Sequence, residues 1–267
     1  LLDDLTRRYQ AIGGISPLAQ RTAAQVAGIV ASLEAIAPGQ FDVRFGSKYE
    51  PPLLEEAAAT FVADGFTTVV GLVLAPHSSS RSTDEYMSRA REALGPDIDF
   101  RAIGAWWDEP GFLNLIAGRV RETLARVPDE NRATTEVLFS AHSLPEKILL
   151  NGDTYPEQLR ESARRAADLA EVETWDLAWQ SAGRTPEPWI GPDILEVLRA
   201  KRASGVTDIV SCPIGFVSDH LEVLYDIDIE ARAVADDIGL GLWRTRSLND
   251  DPEFVAVLAD LVARTAP

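Results

Sequence analysis

Acidic residues at helical spacing, headed by a histidine, mark one segment in the last third of the chain. Glu222, Asp226 and Glu230 lie at i, i+4 and i+8, so a helix would place them in one row on one face. Asp219 falls a turn earlier as a candidate N-cap, and His220 heads the row. Like charges at this spacing destabilise a helix by about 0.2 to 0.5 kcal/mol per pair, and a divalent cation passing along the row would offset that cost. The alternative is a solvated acidic face in an acidic protein.

The three histidines of the chain each follow an apolar run that reads as a strand. His77 follows VVGLVLAP, His142 follows EVLFSA and His220 follows IVSCPIGFVSD. Ligands of open parallel sheets bind at the C-terminal edge of the strands, which is where these side chains are expected. Imidazole accepts protons near neutral pH and is also a good ligand for ferrous iron. For any single one of them, a structural histidine beside a loop is the alternative.

Size and composition exclude several classes of protein. The chain has 267 residues, 46% of them hydrophobic, which suffices for one large domain or two compact halves with a real core. The formal net charge of −17 argues against nucleic acid as a partner. Apolar runs are shorter than a membrane span and no signal peptide is visible, so we expect a cytoplasmic protein without a transmembrane segment. The single cysteine, Cys212, can form neither an internal disulfide nor an iron–sulfur cluster, and it is expected to be a small buried side chain.

Apolar runs rich in β-branched residues alternate with amphipathic stretches along the chain. The predicted strands are Phe41–Phe45, Thr67–Leu74, Phe100–Ala105, Thr135–Ser140, Thr174–Trp179, Asp208–Pro213 and Leu240–Arg244. The predicted helices lie near 17–36, 51–63, 82–93, 110–127, 155–170, 192–203, 219–236 and 252–264. This alternation predicts an α/β fold with parallel sheets wrapped by helices. A polar, turn-rich segment from Arg126 to Ala133 divides it into an N-terminal half, residues 1–127, and a C-terminal half, residues 128–267.

Familiar catalytic signatures are absent, and two loops remain as candidates for ligand binding. There is no phosphate loop, complete G-x-G-x-x-G, G-x-S-x-G elbow, H-E-x-x-H or Cys-rich zinc spacing. The loop from Gly13 to Pro17 feeds a helix whose free N–H groups could hold a carboxylate, although an ordinary helix start explains it as well. Trp189 could stack on a large planar ligand or close the core beneath its loop.

Three long motifs resemble those of the ferrochelatases, enzymes of haem biosynthesis that insert ferrous iron into a porphyrin. They are FSAHSLPEKI, WQSAGRTPEPWIGP and PIGFVSDHLEVLYDIDIE, and GGISPLAQ, GLVLAPHSSSRSTDEY and WWDEPGF fit the same family in the same order. The resemblance implies a lyase with the chelatase fold, two Rossmann-like halves with parallel sheets around a porphyrin cleft. The family begins with a further strand and an aromatic loop. This chain opens on LLDDLTRRYQAIGG, without a methionine, so that N-terminal strand is expected to be missing.

The resemblance also implies which residues carry the reaction. His142 and Glu222 are the expected catalytic pair across the cleft, and Arg8 is expected near the outer end of the acidic row. The expected metal-binding residues are His142, Glu222, Asp226 and Glu230. The expected substrate-binding residues are Ser16, Lys48, Tyr49, Ser181 and Trp189. Proton abstraction by His142 with assistance from Glu222 is the favoured assignment, and the reverse assignment stays open.

The expected partners are a porphyrin and ferrous iron, which is a substrate, with Mg²⁺ or another divalent ion as a further candidate at the acidic row. The motif TPEPWIGPD most resembles the bacterial branch of the family that uses coproporphyrin III, so the resemblance implies this substrate, with protoporphyrin IX as the alternative. No iron–sulfur cluster is expected, and the protein is expected to be a monomer. The alternatives to an enzyme are a non-catalytic tetrapyrrole or haem carrier on this scaffold and a metal-binding module that uses the acidic helix alone.

Overall fold

The computed structural model describes residues 2–266 as alternating helices and strands. The α-helices are α1 (Leu2–Ala11), α2 (Leu18–Ile36), α3 (Leu54–Ala63), α4 (Thr83–Leu94), α5 (Pro110–Leu124), α6 (Tyr155–Leu169), α7 (Ile194–Ala203), α8 (Leu221–Tyr225), α9 (Arg232–Asp237) and α10 (Pro252–Thr265). Short 3₁₀ helices span Asp129–Thr134 and Glu146–Asn151, and a π-helical turn spans Asp226–Ala231. Within the described range, no helix is both long and apolar enough to cross a bilayer.

The strands form two separate parallel sheets, as the alternation predicts. In the first half, β1 (Thr68–Leu72) pairs with β2 (Asp99–Ile103). In the second half, the order is β4-β3-β5-β6. These four strands are β3 (Thr135–His142), β4 (Trp175–Gln180), β5 (Asp208–Cys212) and β6 (Gly241–Arg244).

The C-terminal edge of the second sheet positions the candidate site. β3 lies between β4 and β5, and its last residue, His142, is in register with Gln180 at the end of β4. All residues of β5 are buried, as are residues 137–141 of β3. Strands buried on both faces leave room for polar chemistry only at their ends. Cys212 is buried and unpaired at the end of β5, and burial raises the pKa of its thiol to about 12, so the predicted small buried side chain is confirmed.

The two halves share a hydrophobic core. The last helix, α10, packs against α2 and α5 and against both strands of the first sheet. Its Phe254 ring lies 5.9 Å from the ring of Trp106, which also meets Phe112 edge-to-face at 5.2 Å. The C-terminal helix therefore packs with the first half, and the division at residue 127 stays a prediction.

One predicted strand is wrong. Residues 41–45 form no ladder with any strand in the part of the chain that the structure describes. Phe41 and Val43 instead pack, partly buried, against the main core. The alternation of apolar and polar residues therefore reflects packing of an extended segment on the core. It does not make a strand, because a strand also needs a hydrogen-bonded neighbour.

Candidate active site

An imidazole and a carboxylate face each other at the edge of the second sheet. His142 ends β3, and Glu222 lies in the first turn of α8. Nε2 of His142 is 3.4 Å from Oε1 of Glu222, and the two side chains are 31% and 37% exposed. Two parts of the chain separated by eighty residues thus converge, as expected, and both groups remain accessible to a ligand.

A glycine brings the two parts together. The backbone N–H of Gly215 donates to the carbonyl of Ser140 at 3.1 Å. A Cβ at Gly215 would lie 2.5 Å from the Cβ of Ala141, which is closer than real side chains approach. Only glycine lets the segment before α8 lie directly against the end of β3. This close approach allows Glu222 to reach His142.

His220 completes a group of two imidazoles around one carboxylate. Its Nε2 lies 3.3 Å from Oε2 of Glu222, and its Nδ1 lies 3.0 Å from the carbonyl of Ser218. Nδ1 of His142 likewise contacts the carbonyl of Ser143. Because a carbonyl only accepts, both Nδ1 atoms carry the proton, and both Nε2 atoms face Glu222.

The charges of this group are coupled. Burial raises the pKa of Glu222, but hydrogen bonds and charge from His142 and His220 outweigh burial and lower it to about 2. Burial lowers the pKa of His142, but the hydrogen bond and charge of Glu222 outweigh it and raise the pKa above its usual 6.5. Glu222 is therefore ionised, and it stabilises a proton or a cation on the neighbouring imidazole.

Two residues that the sequence did not single out hold the backbone of the pair. Buried Gln180 donates through Nε2 to the carbonyl of Glu222 at 3.1 Å and accepts from Ser140 Oγ at 3.0 Å. The Tyr155 hydroxyl donates to the carbonyl of His142 at 3.1 Å. Gln180 belongs to the motif WQSAGRTPEPWIGP, so the sequence offered a way to identify it as a site residue. Tyr155 lies in none of the motifs.

The acidic row continues into a π-helical turn. Asp226 is 5% exposed, Arg8 Nη1 lies 3.2 Å from its Oδ1, and Ser181 Oγ donates to its Oδ2. Burial raises the pKa of Asp226 to about 6, against the hydrogen bond from Ser181 and the charge of Arg8. Glu230 is half-buried and has neither an ion pair nor a hydrogen bond within residues 2–266. Side chains of the protein thus relieve part of the repulsion, at Glu222 and Asp226, whereas the charges of Glu222 and Glu230 still contribute to the raised pKa of Asp226.

The candidate N-cap is wrong. His220, in extended conformation, takes the N-cap position of α8 without a side-chain capping bond. The carboxylate of Asp219 instead accepts from Ser247 Oγ and from Asn249 Nδ2, at 2.8 Å each. These partners follow β6, far away in sequence, so local spacing could not reveal them.

Trp189 lies against the backbone of its own loop beside the candidate pair. A Cβ at Gly183 would lie 2.3 Å from the indole ring, and the indole N–H donates to Thr185 Oγ1 at 2.9 Å. The backbone of Trp189 forms a bridge with Pro145, three residues after His142. The partly exposed ring therefore flanks the chain that leaves His142.

The other expected substrate-binding residues lie in the first half. Lys48 is buried, with Nζ 2.8 Å from Glu85 Oε2 and 4.9 Å from the centre of the Tyr86 ring, and exposed Tyr49 adjoins it. Ser16 Oγ accepts from the backbone N–H of the second residue after it at 3.3 Å, at the start of α2. Among the described residues, no hydrogen bond or ion pair joins Lys48, Tyr49 or Ser16 to the His142 group.

No resident metal cage accompanies this site. Within residues 2–266, no group of three or more His, Cys, Asp and Glu side chains is arranged to hold a metal ion. The additional Mg²⁺ considered for the acidic row therefore gains no support.

Comparison with known proteins identifies the family of this chain. The ferrochelatase family model matches residues 2–266. A ferrochelatase from Herpetosiphon aurantiacus is 44% identical over 264 residues, covering 98% of this chain and 87% of the relative. A coproporphyrin III ferrochelatase from Bacillus subtilis is 44% identical over 269 residues, covering 99% of this chain and 86% of the relative. The chain belongs to the ferrochelatase family. Ferrochelatases are lyases of haem biosynthesis that insert ferrous iron into a porphyrin, and this chain is an enzyme of that class.

Solved structures bear on the fold of this ferrochelatase. SirB from Bacillus subtilis with Fe³⁺ superposes with a TM-score of 0.58 at 18% identity, covering 92% of this chain and 90% of that chain. The sirohydrochlorin chelatase SirB from Bacillus subtilis subspecies spizizenii, in complex with cobalt, gives a TM-score of 0.54 at 14% identity, covering 90% and 89%. At such identities the likeness shows the fold alone. The predicted α/β chelatase fold is confirmed.

Proposed function

We propose that this ferrochelatase inserts ferrous iron into coproporphyrin III, with His142 taking the two pyrrole protons one after the other and passing each to solvent, and with Glu222 assisting it. The observation that carries the proposal is the 3.4 Å approach of His142 Nε2 to Glu222 Oε1 at an accessible sheet edge. General-base catalysis needs a group that can accept a proton near the operating pH and is within reach of the substrate. An imidazole beside an ionised carboxylate meets the first of these needs.

The geometry of the imidazole supports its role as proton acceptor. Nδ1 of His142 is committed to the carbonyl of Ser143, so Nε2 is the atom left for a pyrrole proton. Once protonated, that ring is an imidazolium stabilised by Glu222. Metal binding by the same Nε2 would compete with the proton, and we therefore assign first contact with iron to Glu222 and the acidic row.

The proposed route of iron runs along Glu230 and Asp226 to Glu222. Glu230 has no side-chain partner within residues 2–266, whereas Asp226 is paired with Arg8 at 3.2 Å. An arriving cation would take over the contact that Arg8 makes with Asp226, as the guanidinium moves away. Carboxylate oxygens in sequence allow a divalent ion to shed water stepwise before it meets the porphyrin.

The proposed porphyrin site lies between the first half and the Trp189 loop. Ser16, Lys48, Tyr49, Ser181 and Trp189 are the proposed substrate-binding residues. The Trp189 ring is fixed from one side by Gly183, so it offers a rigid apolar face to a planar ligand. Binding a bent porphyrin better than a flat one would expose the pyrrole nitrogens and lower the barrier.

The choice of coproporphyrin III is supported by relatives that carry this substrate in their names. Coproporphyrin III ferrochelatases from Halalkalibacterium halodurans and Bacillus subtilis are 42% and 44% identical to this chain over nearly its whole length. The TPEPWIGPD wording of the Trp189 loop supports the same choice. The monomeric state and the cytoplasmic setting stay predictions.

Anaerobic incubation with ferrous iron and either coproporphyrin III or protoporphyrin IX tests the proposal. Absorbance spectra should show rapid metalation of coproporphyrin III and slower metalation of protoporphyrin IX. The His142→Ala variant should bind the porphyrin without metalating it. Porphyrin binding without metalation by the wild-type chain would favour a tetrapyrrole carrier, and faster use of protoporphyrin IX would overturn the substrate assignment.

A further inference from the structure

The guanidinium of Arg244, at the end of β6, holds two carboxylates at once. Its Nε and Nη2 donate to the two carboxylate oxygens of Asp228 at 2.6 and 2.9 Å, and its Nη1 donates to Asp219 Oδ1 at 3.1 Å. A planar fork of donors is specific to arginine. The two acids lie on either side of His220 and Glu222 in the sequence. One side chain therefore ties both ends of the segment that carries candidate active-site groups.

The Asp219 end of this segment is held from a second side. Ser247 and Asn249 both donate to its carboxylate, and its own backbone N–H donates to Asn249 Oδ1 at 2.8 Å. The backbone N–H of Asn249 donates to the carbonyl of Val217 at 2.7 Å. Ser247 and Asn249 directly follow β6, so this strand and its loop form the frame for the segment before α8.

The other end of the segment lies in the π-helical turn Asp226–Ala231. Single π-helical turns interrupt regular helices and are frequent at functional sites. Within this turn, Asp226 contacts Arg8, whereas Asp228 pairs with Arg244. Without Arg244, the turn would lose its ion pair to the sheet.

We propose that Arg244 is a positioning residue for ferrous insertion. By holding both acids, its guanidinium fixes the place of Glu222 opposite His142. The inference rests on the proposed function, in which His142 and Glu222 act on the substrates. Arg244 itself contacts neither His142 nor Glu222 through a hydrogen bond; it acts through Asp219 and Asp228. Misplacement of a reacting group by about 1 Å can lower a rate by about 10²-fold. Loss of Arg244 should therefore lower turnover and leave porphyrin binding unchanged.

Two substitutions and a matched control separate these effects. Arg244→Met removes the charge, whereas Arg244→Lys keeps it but replaces the fork by a point charge that cannot reproduce both contacts. The control Arg246→Met removes an arginine two residues away, where the side chain is 66% exposed and pairs with Glu122. Arg244 and Trp243 line an open pocket of about 380 Å³, so the Met or Lys side chain can be accommodated there without displacing neighbouring residues.

The expected result is a loss in kcat with little change in KM for the porphyrin. With folding verified by circular dichroism, Arg244→Met should lower kcat for iron insertion by about 10- to 100-fold, and Arg244→Lys should recover part of that loss. Porphyrin KM should change by less than about twofold, since only misplacement is involved. Arg246→Met should retain the wild-type kcat. A folded Arg244→Lys or Arg244→Met variant with wild-type kcat, or a loss confined to porphyrin KM, would overturn the inference.

A double variant distinguishes positioning from general damage. In a Glu222→Gln background, Arg244→Lys should lower the residual rate by less than about twofold, because the group that it positions is already absent. A further loss as large as in the wild-type background would overturn the inference and leave the proposed function intact. An unchanged rate in Glu222→Gln alone would instead overturn the proposed role of Glu222, and this inference with it.

Discussion

His77, shortly after β1, and His142, the last residue of β3, lie at the C-terminal edges of the two sheets and have opposite surroundings. His77 follows β1, is 3% exposed and has its Nε2 2.7 Å from Ser162 Oγ, with no partner for Nδ1 within residues 2–266. Burial lowers its pKa to about 3, so it stays neutral. His142 follows the same topological rule but is half-buried, faces Glu222, and has a raised pKa.

The difference shows what turns a strand-end histidine into a candidate catalyst. Position at the C-terminal edge of a parallel sheet is common to both residues. Only His142 meets a carboxylate there, because Gly215 lets the segment before α8 approach the end of β3. His77 instead joins the loop after β1 to α6 through Ser162. The alternative of a structural histidine therefore applies to His77, and the chemical interpretation applies to His142.

Replacing each of these two histidines by alanine should give the largest effects, one on the rate and the other on stability. His142→Ala should lower the rate of iron insertion by about 10²- to 10⁴-fold, the usual contribution of a general base, with little effect on the free energy of unfolding. His77→Ala should lower the free energy of unfolding by about 2 to 4 kcal/mol, through a buried cavity and the loss of the hydrogen bond to Ser162, and retain turnover per folded molecule. Insertion kinetics and urea unfolding measure the two quantities. A normal insertion rate in His142→Ala would refute the catalytic role of His142. A normal free energy of unfolding in His77→Ala would refute the structural role of His77.

Acid should destabilise the fold through His77. Below the ordinary imidazole pKa of 6.5 the unfolded chain binds a proton at this residue, whereas the folded chain binds one only near pH 3. Protons therefore favour the unfolded state as the pH falls, by about 3 kcal/mol between pH 7 and pH 4.5 from this residue. A His77→Gln variant cannot take up that proton, so its unfolding free energy should fall less steeply with acid. Parallel pH profiles for the two proteins would contradict the burial of a neutral imidazole.

The sequence predicts the elements of this fold better than the contacts between their side chains. Strands β1 to β6 lie close to their predicted bounds, because continuous apolar runs are a local signature of burial on both faces. Residues 41–45 alternate apolar and polar side chains, a pattern that also suits a strand, but they form no ladder, since the local pattern does not reveal whether a neighbouring strand exists. The π-helical turn was not predicted either, because spacing of i and i+4 suits an ordinary helix equally well.

The candidate site shows the same division between local and distant information. Spacing and motifs identified Glu222 and His142, which the structure brings within 3.4 Å, although their catalytic roles stay predictions. Gln180, Tyr155 and Arg244 were missed. Their contacts depend on sheet register and on loops far away in sequence, and such contacts leave no periodic signal.

The smallest expected effect is that of Glu230, the half-buried residue at the outer end of the acidic row. Glu230→Gln should raise the apparent KM for ferrous iron by about two- to fivefold, because a partly exposed charge contributes about 0.2 to 1 kcal/mol to a pairwise attraction. Its effect on kcat should be smaller, since Glu230 makes no contact with the His142 group in the described residues. Glu253→Gln, at the exposed start of α10, is the control for the loss of one negative charge. A fall in kcat with unchanged KM for iron would count against a supply role, because it would place Glu230 in the chemical step rather than on the route to it.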